Sequence, residues 1–174
     1  RHLFHYLYIN CMQKEIFEQP SVLGDSLSRF IDPINKKIKI QNIKINWKKV
    51  KNVKLIACGS SYYACLTATY WIQKYAKIPA DAELASEFRY KDQIELPDQL
   101  CIFISQSGET ADTLAALKYA KKFKMKTLSI VNVLESSIFR ESHHNIFTAV
   151  GPEIGVASTK ALTAQLSICL LYTS

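Results

Sequence analysis

The sequence predicts an α/β protein: a doubly wound, mostly parallel sheet with helices on both faces. Three observations carry that reading. Short apolar runs of strand type recur at residues 53–58, 100–104 and 126–133. Helix-type patterns separate them, and strands alternating with helices imply a parallel sheet covered on both sides. Finally, the stretches that follow the strands are small, polar and rich in hydroxyls. Right-handed crossovers would bring all such loops to one rim.

Each element follows from local chemistry. Residues 1–11 are aromatic and irregular and receive no function. Residues 12–19 form helix readily, and Pro20 is expected to stop or bend that helix. A second helical stretch passes through Leu23, Leu27, Phe30 and Ile31 and ends near Pro33. Residues 36–45 alternate Lys, Ile and Gln with a two-residue period, which fits a hairpin or a connector. The strand at 53–58 leads through Gly59-Ser60-Ser61 into a helix that carries Leu66, Tyr70 and Ile72 and reaches Tyr75. Residues 79–84 read as a connector and short strand, and Ser86 opens a short helix through Phe88. The strand at 100–104 is followed by the loop 105–110 and a helix over 111–122. After the strand at 126–133 come a short helix at 136–141 and a strand at 145–150. A last helix opens at Gly155 and runs to Leu171.

The loop Ser105-Gln106-Ser107-Gly108-Glu109-Thr110 is the centre of the chain. It joins a buried strand to a helix, which is how open α/β sheets build ligand sites at the carboxyl ends of their strands. Free N–H groups and the positive end of the helix dipole attract anions. The hydroxyls of Ser105, Ser107 and Thr110 can donate to phosphate oxygens without adding charge. Gly108 allows close backbone approach or a positive φ. The same pattern is also that of a plain helix cap. Gly59-Ser60-Ser61 and Gly155-Val156-Ala157-Ser158-Thr159 repeat the theme, and each alone is again compatible with a cap. Three such loops, with no Gly-x-Gly-x-x-Gly and no lysine-bearing phosphate loop, favour a small phosphorylated ligand over a dinucleotide or nucleoside triphosphate.

The net charge is +7, but the excess is concentrated. Residues 35–54 hold eight lysines, interleaved with Ile, Asn and Val rather than with arginine and stacking aromatics, so they read as a solvated face and not as a nucleic-acid interface. No apolar run is long enough to span a bilayer. Five cysteines without close pairing do not form a disulfide framework. Cys58, Cys101 and Cys169 sit in apolar runs and read as buried thiols of a reducing, cytoplasmic compartment. No Cys/His spacing suggests a metal, and none is expected.

Four strings carry a resemblance: Cys58-Gly59-Ser60-Ser61, Ala85-Ser86-Glu87-Phe88-Arg89-Tyr90, the run from Ser105 to Thr113, and Glu153-Ile154-Gly155-Val156-Ala157-Ser158-Thr159-Lys160. Together they resemble the sugar-isomerase (SIS) domain of the glutamine–fructose-6-phosphate aminotransferase (isomerising) family, over about residues 12–171. The string from Met12 to Pro20 looks like that family's lead-in to the isomerase domain. The resemblance implies an SIS-type, flavodoxin- or Rossmann-like three-layer sandwich. It implies a helical arm at residues 1–34 and a first SIS domain at 35–174, with glutaminase and second SIS domains absent.

The resemblance further implies that Ser61, Ser105, Gln106, Ser107 and Thr110 hold the phosphate of fructose 6-phosphate. Ser60 stands beside them, where the family more often has Thr. Val156, Ala157 and Ser158 would line the sugar. The implied reaction turns fructose 6-phosphate and glutamine into glucosamine 6-phosphate without a cofactor. In the family its acid/base Glu, its His and its Schiff-base Lys lie in the second SIS half or the tail, so no catalytic residue is assigned here. Lys160 is the one nearby amine, and a single lysine does not suffice. Capping roles account for Glu109 and Glu153. A homodimer is implied, with Tyr70, Trp71 and Tyr75 or Leu162, Leu166 and Leu170 as its contacts. Residues 1–11 depart from the family pattern, in which a shorter stretch precedes the Met12-Gln13-Lys14-Glu15 string. The rival readings are a regulatory SIS module and another SIS sugar-phosphate isomerase. The first would need an upstream recognition helix. The second would share the serine loop but not the Glu153–Lys160 string.

Overall fold

The computed structural model describes residues 10–35, 37–39, 43–92, 94 and 96–171. Its centre is a five-stranded, all-parallel sheet made of β3 (Asn52–Ala57), β4 (Ala80–Leu84), β5 (Gln99–Ser105), β6 (Lys126–Val131) and β7 (His144–Phe147), in the order β4-β3-β5-β6-β7. Helices α2 (Gly59–Trp71), α3 (Ala85–Phe88), α4 (Ala111–Lys122), α5 (Ser137–Glu141) and α6 (Lys160–Leu171) cover it. Counted within the sheet, that order is 2-1-3-4-5, the flavodoxin-like winding. The chain moves one way from β3 and the other way from β5, so the gap between their carboxyl ends is the topological switch point.

Alternation along the strands builds two cores. Val53, Leu55 and Ala57 face the same side as Leu100, Ile102 and Ile104, against Cys65 and Ala68 of α2, Ile72 just beyond it, and Ile168 and Cys169 of α6. Ile56, Cys101, Phe103 and Val131 face the other side, against Phe88, Ala116, Leu117, Ala120 and Ile138. Helix α4 buries Thr113, Ala116, Leu117 and Ala120 at helical spacing. Helix α2 buries Ser61, Ala64, Cys65 and Ala68, all small, which lets it lie close on the sheet.

The amino-terminal arm differs from expectation. Helix α1 (Cys11–Phe30) is one continuous helix with Pro20 inside it. Proline removes one helical hydrogen bond and clashes with the preceding turn, at a cost of about 3 kcal/mol. The docked face of α1 keeps its phase across the break: Glu15, Ser26 and Phe30 are buried, and Val22 packs against the cluster of Val150, Ala161 and Ala164. Pro20 itself is exposed. Packing on both sides of Pro20 thus outweighs the local penalty. Of residues 36–45, read as a hairpin or a connector, Lys37–Ile38 form β2, which pairs antiparallel with β1 (Ile31–Asp32). Asp32 closes its turn by accepting from the Ile34 and Asn35 N–H groups. Residues 1–9, 36, 40–42, 93, 95 and 172–174 lie outside the described residues.

Other boundaries moved less. Helix α4 has the expected limits, while β6 and β7 end earlier than read, at Val131 and Phe147. The last helix begins at Lys160, so residues 155–159 are loop. All five cysteines are free. Cys101 and Cys169 are buried as expected and burial pushes both thiols up to about 12, whereas Cys58 is only half-buried.

Candidate functional site

Two of the three loops start side by side. Ala57, the last residue of β3, pairs with Ile104 of β5, so the lead-in to α2 and the loop after β5 leave neighbouring strands at the switch point. Adjacent strands lie about 4.8 Å apart. Ser61 is buried in the first turn of α2, whose cap residue, Cys58, makes no side-chain cap hydrogen bond. Gly59, with φ of 57°, turns the chain from strand to helix.

The second loop is held mainly by its own side chains. Ser105, 2% exposed, accepts from the Gly108 N–H at 3.0 Å and shares a 2.9 Å hydrogen bond with the Thr110 hydroxyl. Ser107 accepts from the Glu109 N–H at 3.2 Å. Gly108 has φ of 67°, and a Cβ there would lie 2.0 Å from the Ser136 Oγ. Its carbonyl accepts from the Ile138 N–H, and the Glu109 carboxylate accepts from the Ser137 N–H. That hydrogen bond holds the Glu109 carboxyl below the usual carboxylate range. Glu109 therefore caps α5, not its own helix.

Counting protons shows what the loop still offers. A hydroxyl has one donor and two acceptor sites. Ser107 uses an acceptor site, so its O–H is free to donate. One donor serves the Ser105–Thr110 pair. Either hydroxyl of the pair can be that donor, and where Ser105 donates, the half-buried Thr110 keeps its O–H for the rim. The first N–H groups of α4 have no partner within the helix and point the same way. The set is neutral, donor-rich and anion-accepting.

The third loop is built differently. Past β7, Asn132 gathers the chain: its Oδ1 accepts from the Thr148 hydroxyl and the Val150 N–H, and its Nδ2 donates to the Gly151 carbonyl. The Asn132 N–H donates to the Gln106 carbonyl, which ties this segment to the serine loop. Glu153 caps α6 by accepting from the Thr159 and Ala161 N–H groups and the Ser158 hydroxyl. Ile154 and Gly155 donate to the buried carboxylate of Glu15. Val156 and Ala157 are exposed at the tip. Lys160 is 6% exposed with its Nζ 2.8 Å from the Glu18 carboxylate, so it is engaged in an ion pair with α1.

Of the residues singled out in the sequence, Ser61, Ser105, Gln106, Ser107 and Thr110 gather at the switch point. Val156, Ala157 and Ser158 are not joined to them by any hydrogen bond among the described residues; the link runs through Asn132. Sequence reasoning missed Asn132, Ser136 and Glu15. A polar residue directly after the apolar run of β6 was the available signal for Asn132. Nothing local distinguishes Glu15 from an ordinary helix carboxylate. Among the described residues, no group of three or more His, Cys, Asp or Glu could hold a metal, and no helix is long and apolar enough to cross a membrane.

With this winding and these loops in place, comparison with known proteins is direct. The chain belongs to the SIS domain family, whose model matches residues 47–174. Within that family it is similar to the glutamine–fructose-6-phosphate aminotransferases (isomerizing). That of Neisseria meningitidis is 52% identical over 164 residues, covering 91% of this chain and 26% of the relative. That of Brucella abortus is 49% identical over 156 residues, covering 90% and 26%. The C-terminal domain of glucosamine-fructose-6-phosphate aminotransferase from Francisella tularensis superposes with a TM-score of 0.91 at 42% identity, over 97% of this chain and 47% of that one. The chain thus spans about a quarter of the length of the curated relatives it matches.

Proposed function

We propose that this chain is the first SIS half of a glutamine-dependent fructose-6-phosphate aminotransferase, and that it binds the sugar phosphate that such an enzyme converts to glucosamine 6-phosphate for amino-sugar biosynthesis. The observation that carries the reading is the pairing of the Ser105–Thr110 loop with the lead-in to α2 at the switch point. Ser61, Ser105, Gln106, Ser107 and Thr110 would take the phosphate, and Val156, Ala157 and Ser158 would line the sugar. The identity to aminotransferases supports this substrate over those of other SIS proteins. Residues 1–34 would be the arm and linker, and 35–174 the SIS domain. The work would be cytoplasmic, in keeping with free thiols. A homodimer is supported by Tyr63, Leu66 and Tyr70, an exposed apolar stripe at helical spacing on α2. Of the dimer contacts read from sequence, Tyr70, Tyr75 and Leu170 are exposed.

The acid, base and Schiff-base roles have no counterpart in this chain, and Lys160 is paired with Glu18, so binding without turnover is expected from either glutamine or ammonia. Calorimetry with fructose 6-phosphate tests the binding. Replacing Ser107 and Thr110 with Ala should weaken it, with each hydrogen bond to a charged group worth about 1.5–3 kcal/mol. Thr110→Ser keeps the hydroxyl and should retain affinity. An unchanged affinity in the double variant, or conversion of fructose 6-phosphate and ammonium to glucosamine 6-phosphate by the chain alone, would defeat the assignment.

A further inference from the structure

Helix α1 concentrates its grip on one part of the rim. Glu15, Glu18, Gln19 and Ser26 recur along one side of the helix, and each has a partner between residues 148 and 163; Glu18 also pairs with Lys14 within the helix. Glu15, only 3% exposed, accepts from the Ile154 N–H at 2.6 Å and from the Gly155 N–H at 3.1 and 3.2 Å. Glu18 pairs with the buried Lys160, the Thr163 hydroxyl donates to Gln19 at 2.6 Å, and the Ser26 hydroxyl donates to the Thr148 carbonyl at 2.7 Å.

A buried carboxylate is costly unless hydrogen bonds satisfy it. Here two successive backbone N–H groups of the third loop do so, an arrangement suited to holding an anion. The fit is specific. A Cβ on Gly155 would sit 2.6 Å from the Glu15 Oε2 and 3.3 Å from the Met12 Sδ, so α1 fills the space a side chain would need. Glu153 fixes the same loop from its other end. The exposed tip at Val156 and Ala157 is left between two carboxylate anchors, one local and one from a helix about 140 residues away in sequence.

We infer that α1 is a latch: the seating of Glu15 sets the position of residues 154–158, and with it the affinity for the sugar part of the ligand. This rests on the reading above that these residues line the sugar. Glu15 is a positioning residue, since it touches the loop and not the ligand. Linkage requires the converse, so a ligand that orders the loop must also steady α1.

The experiment compares wild type, Glu15→Ala and Glu15→Gln in the full chain. Amide hydrogen exchange at Ile154 and Gly155 should quicken in Glu15→Ala without ligand. Calorimetry should show a loss of about tenfold for fructose 6-phosphate, the scale of one charge-assisted hydrogen bond, with inorganic phosphate affinity unchanged. Glu15→Gln keeps the volume and one acceptor oxygen, should lie between, and is read alone if the alanine variant does not fold. Unaltered exchange at Ile154 and Gly155 overturns the latch. Fructose 6-phosphate affinity that is unchanged, or that falls in step with phosphate affinity, overturns its action on the sugar. If wild type binds neither compound, the sugar-phosphate reading and the latch's effect on the sugar both fall, and the latch as a loop anchor is decided by the exchange rates.

Discussion

The loop at residues 105–110 and the segment at 153–159 both lie beyond the carboxyl ends of parallel strands, yet they are held by different means. The first is fixed by its own hydroxyls and by backbone groups of the next βα connection, with Asn132, Ser137 and Ile138 as the partners beyond the loop. The second depends on Glu15, from the far end of the chain, as much as on its neighbour Glu153. A loop held by local contacts keeps its shape wherever its strand and helix are intact. A loop held by a remote helix can be altered without touching the sheet. The donor-rich hydroxyls thus sit on the locally held loop, and the exposed tip at Val156 and Ala157 on the remotely held one.

The largest expected effect breaks the first loop. Gly108→Ala combines a left-handed backbone with a Cβ 2.0 Å from the Ser136 Oγ and 2.5 Å from its Cβ. Crowding and strain together should cost roughly 2–4 kcal/mol, read by urea unfolding. Adding Ser136→Gly should recover the crowding part and leave the backbone strain. A loss below about 1 kcal/mol for Gly108→Ala would mean that this loop yields as readily as the third.

A smaller effect is expected at Gly155, which sharpens the contrast. Its added Cβ would meet the ends of flexible side chains, Glu15 and Met12, rather than a buried turn. Gly155→Ala should cost about 1–2 kcal/mol in the wild type, and much less when Glu15 is already alanine. Additive losses in that double-mutant cycle would separate Gly155 from Glu15 energetically.

The smallest effect is a pH dependence confined to the latch. The hydrogen bond from Lys160 holds the Glu18 carboxyl below its ordinary range. A depressed folded pKa contributes stability that is complete above the unfolded value, about 4.3, and is lost as pH falls through the folded one. Thermal unfolding of wild type should therefore lose stability on acidification through that window more steeply than Glu18→Gln does. Identical pH slopes for the two proteins would remove Glu18 from the linkage.

The same division explains what could be read from the sequence. The limits of α4, the three hydroxyl-bearing loops and the alternation of strand and helix are local patterns, and they appear where local chemistry puts them. Pro20 does not end the helix because its penalty is local, whereas the contacts that hold α1 on both sides of it, Glu15 to Gly155 and Ser26 to Thr148, are not. Lys160 was weighed as an amine because its string ends the third loop; its pairing with Glu18 is visible only once α1 is docked. A shared rim for the three loops was legible because right-handed crossovers in a parallel sheet leave few ways to place them; that the Ser105–Thr110 and Gly59–Ser61 loops leave neighbouring strands is visible only in the strand order. The anchoring of residues 154–158 was not, since its key carboxylate lies in an unremarkable helical stretch.

The distance along the chain between Glu15 and Gly155 also has a meaning in time. Joining chain segments this far apart carries an entropy cost that grows with the length enclosed, so contacts of short span tend to form before those of long span. The bonds within residues 105–138 need only β5, α4 and the start of α5 to meet. The bonds from α1 need two segments about 140 residues apart to be brought together by a sheet already wound. During refolding, then, the amide of Gly108 should become protected before that of Gly155, and the rim would be completed from its middle outward, with its most adjustable part set last.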